Sequence, residues 1–196
     1  YVKIGDRFVE RVLASDANGN LIFVAGSGTI EEALLPAGGD HAPQGSIFEI
    51  APARSALMQD IAARIRHHRG AALLIDYGHL QPGYADTLQA LKNHAPGDVL
   101  HAPGDADLTS HVDFHNLAQA ARSEGCAVRA MTQGEFLIAM GLLDRAGALG
   151  QGKSSQFQEQ IRLDVERLAG PEHMGSLFKV LCVTDPGTQV FPFDTK

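Results

Sequence analysis

Asp76, Tyr77 and His79 place a carboxylate, a phenol and an imidazole directly after the apolar run Ala71 to Ile75. An apolar run that ends in polar groups is the pattern of a buried parallel strand delivering side chains at its carboxyl end. Ligands of open α/β sheets bind at that end. The chain therefore places a carboxylate, a phenol and an imidazole where the chemistry of such folds is usually done. The plain alternative is a strand-end turn in which Asp76 caps backbone N–H groups.

Other chemistry-bearing residues lie downstream. Gln133 and Glu135 stand between a strand-like and a helix-like segment. Thr132-Gln133-Gly134-Glu135 matches a capping box, so either capping alone explains Glu135 or both side chains face one cleft. His101, Asp105, Asp107, His111, Asp113 and His115 are residue types that ligate zinc or iron. Their spacing follows no rigid ligand pattern, and Asp107 and Asp113 also suit turn and helix caps. An organic ligand or a substrate is the favoured occupant of that loop, and no metal is expected. Gly26-Ser27-Gly28 is only G-x-G and follows the second half of a hairpin. No acidic residue ends a strand about twenty residues later, Asp40 falling in a loop, which argues against a dinucleotide loop. G-x-S-x-G, C-x-x-C and Walker patterns do not occur, which removes the simplest hydrolase, redox and kinase readings.

The elements that must hold these residues alternate. Arg7 to Leu13 and Asn20 to Ala25 flank Asn18-Gly19 and predict an antiparallel hairpin. Gly26 to Ser46 reads as a surface loop. Lys3, Arg7 and Arg11 alternate with Phe8 and Val12, which reads as a solvated strand face. Pro52 to His68 is the clearest helix, with Leu57, Met58, Ile61, Ala62 and Ile65 on one face and basic residues in the last turn. Strand 71–75 follows, and 84–100 is ambiguous between helix and strand. Val112 to Glu124 reads as a helix with Asp113 as a cap and Gly125 as its stop. Ala127 to Met131 is a strand, and a helix runs from the capping box to about Leu143. An amphipathic helix at 154–168 and a strand at Leu177 to Thr184 complete the order. Met174-Gly175-Ser176 makes a tight entry into that strand. From residue 52 the alternation predicts an α/β layer structure with a mostly parallel sheet.

With 196 residues, 44% of them hydrophobic and 20% charged, the chain has the make-up of one globular core. A net charge of −7 speaks against a general nucleic-acid binder and favours a basic substrate segment. Cys126 and Cys182 sit in apolar surroundings and read as buried thiols of a reducing compartment. No apolar run approaches a membrane span, and no signal-peptide pattern opens the chain. Tyr1-Val2-Lys3-Ile4 reads as the inside of a strand with no initiator methionine, so the chain is expected to start partway through a larger protein.

The segments GAALLIDYGH, DTLQAL, PGDADLTSHVDFHNLA, TQGEFLIAMG and MGSLFKVL together resemble the MidA-like S-adenosylmethionine-dependent methyltransferases. That family includes a mitochondrial complex I assembly factor that methylates an arginine. The resemblance runs from about Val2 to Phe193, and the combination of DYGH with the downstream acidic segment is its most specific part. It implies the carboxyl-terminal half of a class I, Rossmann-like methyltransferase sheet. Strand 71–75 would be the fifth, 126–131 the sixth and 177–184 an antiparallel seventh. Residues 1–48 would be a hairpin and loop insertion, and 49–196 the rest of the domain.

The family's donor-binding glycine-rich loop, acidic strand end and acidic-aromatic segment do not appear. The resemblance therefore implies that S-adenosylmethionine is bound mainly by a missing N-terminal half. What remains would be the acceptor side. Asp76, Tyr77, His79 and Glu135 are the candidate catalytic residues, and Asp107, Asp113 and Gln133 would bind the substrate. The partner implied is a protein, of respiratory complex I type, that offers an arginine. The location implied is the cytoplasm of a bacterium or the mitochondrial matrix of a eukaryote. Two other readings stay open. One is a non-catalytic α/β module docking a partner through the 79–115 loops; the other is a metal-dependent hydrolase built on the His/Asp cluster.

Overall fold

The computed structural model describes residues 1–36 and 41–193; Asp40 lies outside them. In chain order the strands are β1 (Val2–Ile4), β2 (Arg7–Ser15) and β3 (Leu21–Thr29). After a 3-10 turn at Glu32–Leu34 come α1 (Pro52–His68), β4 (Ala71–His79), β5 (Gln89–Lys92), β6 (Ala95–Gly97), β7 (Asp107–Thr109) and β8 (Val112–Asp113). Then follow α2 (Phe114–Ser123), β9 (Ala127–Thr132), α3 (Gln133–Ala139), α4 (Leu142–Gly150), α5 (Ser155–Ala169), α6 (Met174–Leu177) and β10 (Phe178–Thr184).

These elements form two compact units, Tyr1–Ala51 with Pro82–His111, and Pro52–Gln81 with Val112–Lys196. The sequence boundary at residue 48 did not assign 82–111 to the smaller unit. Within that unit β1, β2 and β3 form an antiparallel sheet, and β5 pairs with both β6 and β7. The expected hairpin is β2–β3. The carboxylate of Asp16 closes its loop by accepting from the backbone N–H of Asn18 and Asn20. Strand β3 runs on to Thr29, so Gly26-Ser27-Gly28 is strand and not loop. The ambiguous stretch 84–100 resolves into the β5–β6 hairpin, turning at Asn93 and His94, both at positive φ. The solvated-face reading of Lys3, Arg7 and Arg11 is corrected for two of the three. Lys3 is buried, with its Nζ 5.7 Å from the Phe8 ring. Arg11 forks onto Asp86 at 2.5 and 2.9 Å and lies over Phe23.

The larger unit holds a four-stranded mixed sheet in the order β8-β4-β10-β9. β10 runs antiparallel to both β4 and β9, and β8 pairs parallel with the end of β4. The mostly parallel sheet expected from alternation is therefore a mixed one. Helices cover both faces. Leu181 and Val183 of β10 point into one core with Met58, Ala62 and Ile65 of α1 and Phe114, Leu117 and Ala121 of α2. Val180 and Cys182 point into the other with Phe136 and Phe193. Every residue of Val180–Thr184 is buried, as a strand covered on both faces must be. Both cysteines are buried and free, as their settings suggested.

Three boundaries move. β4 continues past Ile75 to His79, because β10 pairs as far as Tyr77 and β8 holds Gly78 and His79 extended. Val112-Asp113 is strand, and the helix begins at Phe114. The helix from the capping box ends at Ala139, where Gly141 at φ 87° restarts the chain as α4. The α5 stripe of Phe157, Ile161, Val165 and Leu168 forms, but none of it is fully buried. Among the described residues no helix is long and apolar enough to cross a membrane.

Candidate functional site

The carboxyl ends of β4 and β9 open onto one edge of the sheet, with the start of β10 between them. Lys179 of β10 stands opposite Asp76 of β4 on one side and Thr132 of β9 on the other. Adjacent strands lie about 4.8 Å apart, so Asp76 and Thr132 are separated by roughly 10 Å. The Lys179 ammonium donates to the carbonyls of Ser176 and Leu177, and burial lowers its pKa. The sequence reading passed over Lys179. Its signal was a lone cation one position inside an otherwise apolar strand.

Strand alternation divides the DYGH residues. Asp76 shares a face with Leu74 and lines a groove of about 350 Å³ together with Arg54, Leu57, Met58, Val112 and Phe114. Its Oδ1 accepts from the N–H of Tyr77 at 2.8 Å, so part of the capping role is real. Tyr77 and His79 belong to the opposite face, where the Tyr77 ring meets Phe178 edge-on at 5.6 Å.

His79 and Asp113 are brought together. A Cβ at Gly78 would run into the Val112 carbonyl oxygen, so only glycine lets β8 lie this close to β4. The register then sets Asp113 beside His79, with Nδ1 and Oδ1 3.9 Å apart. Asp113 also caps α2 by accepting from the Asn116 N–H at 2.9 Å. His79 Nδ1 lies 2.8 Å from the Gln81 carbonyl. A carbonyl only accepts, so Nδ1 carries the hydrogen.

At the end of β9 the capping box is complete. Glu135 accepts from both the N–H and the hydroxyl of Thr132 at 2.8 Å, and the Thr132 hydroxyl accepts from the Glu135 N–H. The Thr132 N–H and hydroxyl hold the Glu135 carboxyl below the usual carboxylate range. Glu135 is solvent-exposed and rims an open hollow shared with Ile138, Ala169 and Ser176. Gln133, expected to bind substrate, lies inside the fold. It is buried, and its amide donates to the Leu168 carbonyl at 2.8 Å, bracing α3 against α5. Asp107 is exposed on β7 of the smaller unit. Among the described residues no group of His, Cys, Asp or Glu is placed to hold a metal ion.

Residues 1–132 match the family described as "Putative S-adenosyl-L-methionine-dependent methyltransferase". The chain belongs to that family. The zebrafish (Danio rerio) mitochondrial protein arginine methyltransferase NDUFAF7 is 36% identical over 135 residues, spanning 69% of this chain and 32% of that protein. The Caenorhabditis elegans homologue is 31% identical over 180 residues, covering 90% of this chain and 42% of the relative. The chain thus spans about a third of the length of the zebrafish relative. A COG1565 superfamily member from Burkholderia thailandensis, solved bound to S-adenosyl-homocysteine, superposes with a TM-score of 0.82 at 26% identity. That match covers 96% of this chain and 50% of the solved one.

Proposed function

We propose that these residues form the acceptor side of an S-adenosylmethionine-dependent protein arginine methyltransferase. The carrying observation is the acidic edge at the ends of β4 and β9, with an antiparallel β10 between two strands that run parallel. In the order β4-β10-β9 we read strands five, seven and six of a class I, Rossmann-like sheet. The residues of this chain would be its carboxyl-terminal half. The outer edge of Ala71–Tyr77 supports this: among the described residues no strand pairs with it, and Leu73 and Ile75 are 46% and 49% exposed. An apolar strand in mid-sheet would have both covered.

The donor supplies a methyl group on a sulfonium. The described residues fit it only in part. The apolar walls of the groove beside α1 and α2 suit a non-polar part of the donor, and the groove's carboxylate, Asp76, is assigned to the acceptor. No Gly-rich turn leads from a strand into a helix among the described residues. The donor's remaining contacts are assigned to the part of the fold beyond β4's open edge.

The chain's own residues would act on the acceptor. A guanidinium is planar and always charged, and carboxylates fix its orientation through paired hydrogen bonds. Asp76 and Glu135 flank the edge and are assigned that role, with Asp113 behind His79. Tyr77 would wall the acceptor channel. Holding the nitrogen in line with the methyl group supplies most of the acceleration, since such a displacement depends on positioning. The acceptor assigned is an arginine on a subunit of respiratory complex I type, the kind of substrate expected from the sequence. Mass spectrometry of such subunits, incubated with the protein and S-adenosylmethionine, tests this. A gain of 14 Da (one methyl for one hydrogen) on an arginine is expected; methylation only at lysine or carboxylates would contradict it.

A further inference from the structure

We propose that His79 Nε2 takes the proton released on methylation, with Gln81, Asp113 and Gly78 as positioning residues. This rests on the methyltransferase reading above. The acceptor nitrogen forms its bond to the methyl carbon as the sulfur–carbon bond breaks, and sulfur keeps that electron pair. The nitrogen must also lose a hydrogen, or the guanidinium would carry a second positive charge. A base within reach is therefore part of the chemistry.

The geometry selects His79 for four reasons. The Gln81 carbonyl at 2.8 Å fixes the hydrogen on Nδ1, so the neutral ring keeps its lone pair on Nε2. Asp113 Oδ1 at 3.9 Å is too far for a hydrogen bond and borders the ring without taking up its second nitrogen. The side chain is 36% exposed, so the ring is open to approach from solvent. The two-residue strand β8 exists against Gly78 because no Cβ is present there, and it carries Asp113 to its place. The other charged groups of this edge, Asp76 and Glu135, are acceptors that hold a guanidinium, and Lys179 is occupied by two carbonyls. Among Asp76, Glu135, Lys179 and His79, the imidazole is the group whose Nε2 lone pair is left to take a proton once Nδ1 is engaged by Gln81.

Two measurements test the assignment. Long-range ¹H–¹⁵N NMR of the histidine-labelled protein reads the tautomer directly and needs no activity. The Nδ1–H form is expected for His79, and an Nε2–H form would overturn the proposal. The second measures transfer from tritiated S-adenosylmethionine to purified complex I subunits. His79→Ala should lower kcat by about 100-fold or more while KM for the donor stays within about twofold, and added imidazole should restore part of it. His79→Gln keeps a donor for the Gln81 carbonyl but cannot take a proton, and should lose as much. If the wild type transfers label and either variant matches it, the assignment of His79 fails and the methyltransferase reading stands. Loss without any rescue by imidazole also counts against a proton-transfer role. A full-length wild type that transfers nothing overturns the methyltransferase reading and this proposal with it.

Discussion

At the scale of single residues, each of the four residues at the DYGH end of β4 has different surroundings. Asp76 faces the groove beside α1 and α2, Tyr77 packs on Phe178, and Gly78 makes room for β8. His79 gains its neighbours from the strand that Gly78 admits. Gly78→Ala is therefore expected to push β8 away and cost about 1–3 kcal/mol, as overpacking does. Thermal unfolding would show it as a lower Tm, and an unchanged Tm would mean that β8 docks without help from this glycine. Gln133 shows the opposite outcome. A polar residue expected at the substrate has its amide on the part-buried Leu168 carbonyl. Such bracing cannot be read from residue type, because the partner lies 35 residues away.

At the scale of elements, the capping box ties β9 to α3. Thr132→Ala should cost about 1 kcal/mol, measured by denaturant unfolding. The Glu135 side of the box depends on pH. Its carboxyl is depressed in the folded protein, so its contribution is complete above the unfolded glutamate value of about 4.3 and is lost as pH falls through the lower folded value. Glu135→Gln should flatten that acid loss, and an identical acid profile would contradict it.

The helix α1, the two caps and the long strands were legible because periodicity and capping are local. Other features were not. The two-residue β8 has no periodicity to read. The break at Gly141 lay inside a run that was helical in pattern on both sides. β10 looked like any buried strand, and its antiparallel direction came only with the family resemblance. Lys3 sat at a position that alternation marks as solvated, but tertiary packing laid it across Phe8.

At the scale of the whole molecule, the question is what covers β4. Leu73 and Ile75 lie on its face with Val180 and Cys182, yet about half of each stays exposed. In the class I reading further parts of the fold cover them. Ile75→Asp should then destabilise the protein by well over the ~0.5 kcal/mol typical of surface changes. A neutral effect in chemical denaturation would show the face to be solvated. The net charge of −7 would steer a cationic partner on encounter. Family membership and the fold match bear on the class of chemistry.

That edge can be tested directly by transfer of tritium from S-adenosylmethionine to arginine of complex I subunits, comparing the wild type with Asp76→Asn and Glu135→Gln combined. If the two carboxylates hold the guanidinium, the double variant should lose about 100-fold or more in kcat/KM for the acceptor, while S-adenosyl-homocysteine binding changes little. Full transfer by the double variant would contradict the acceptor-side assignment.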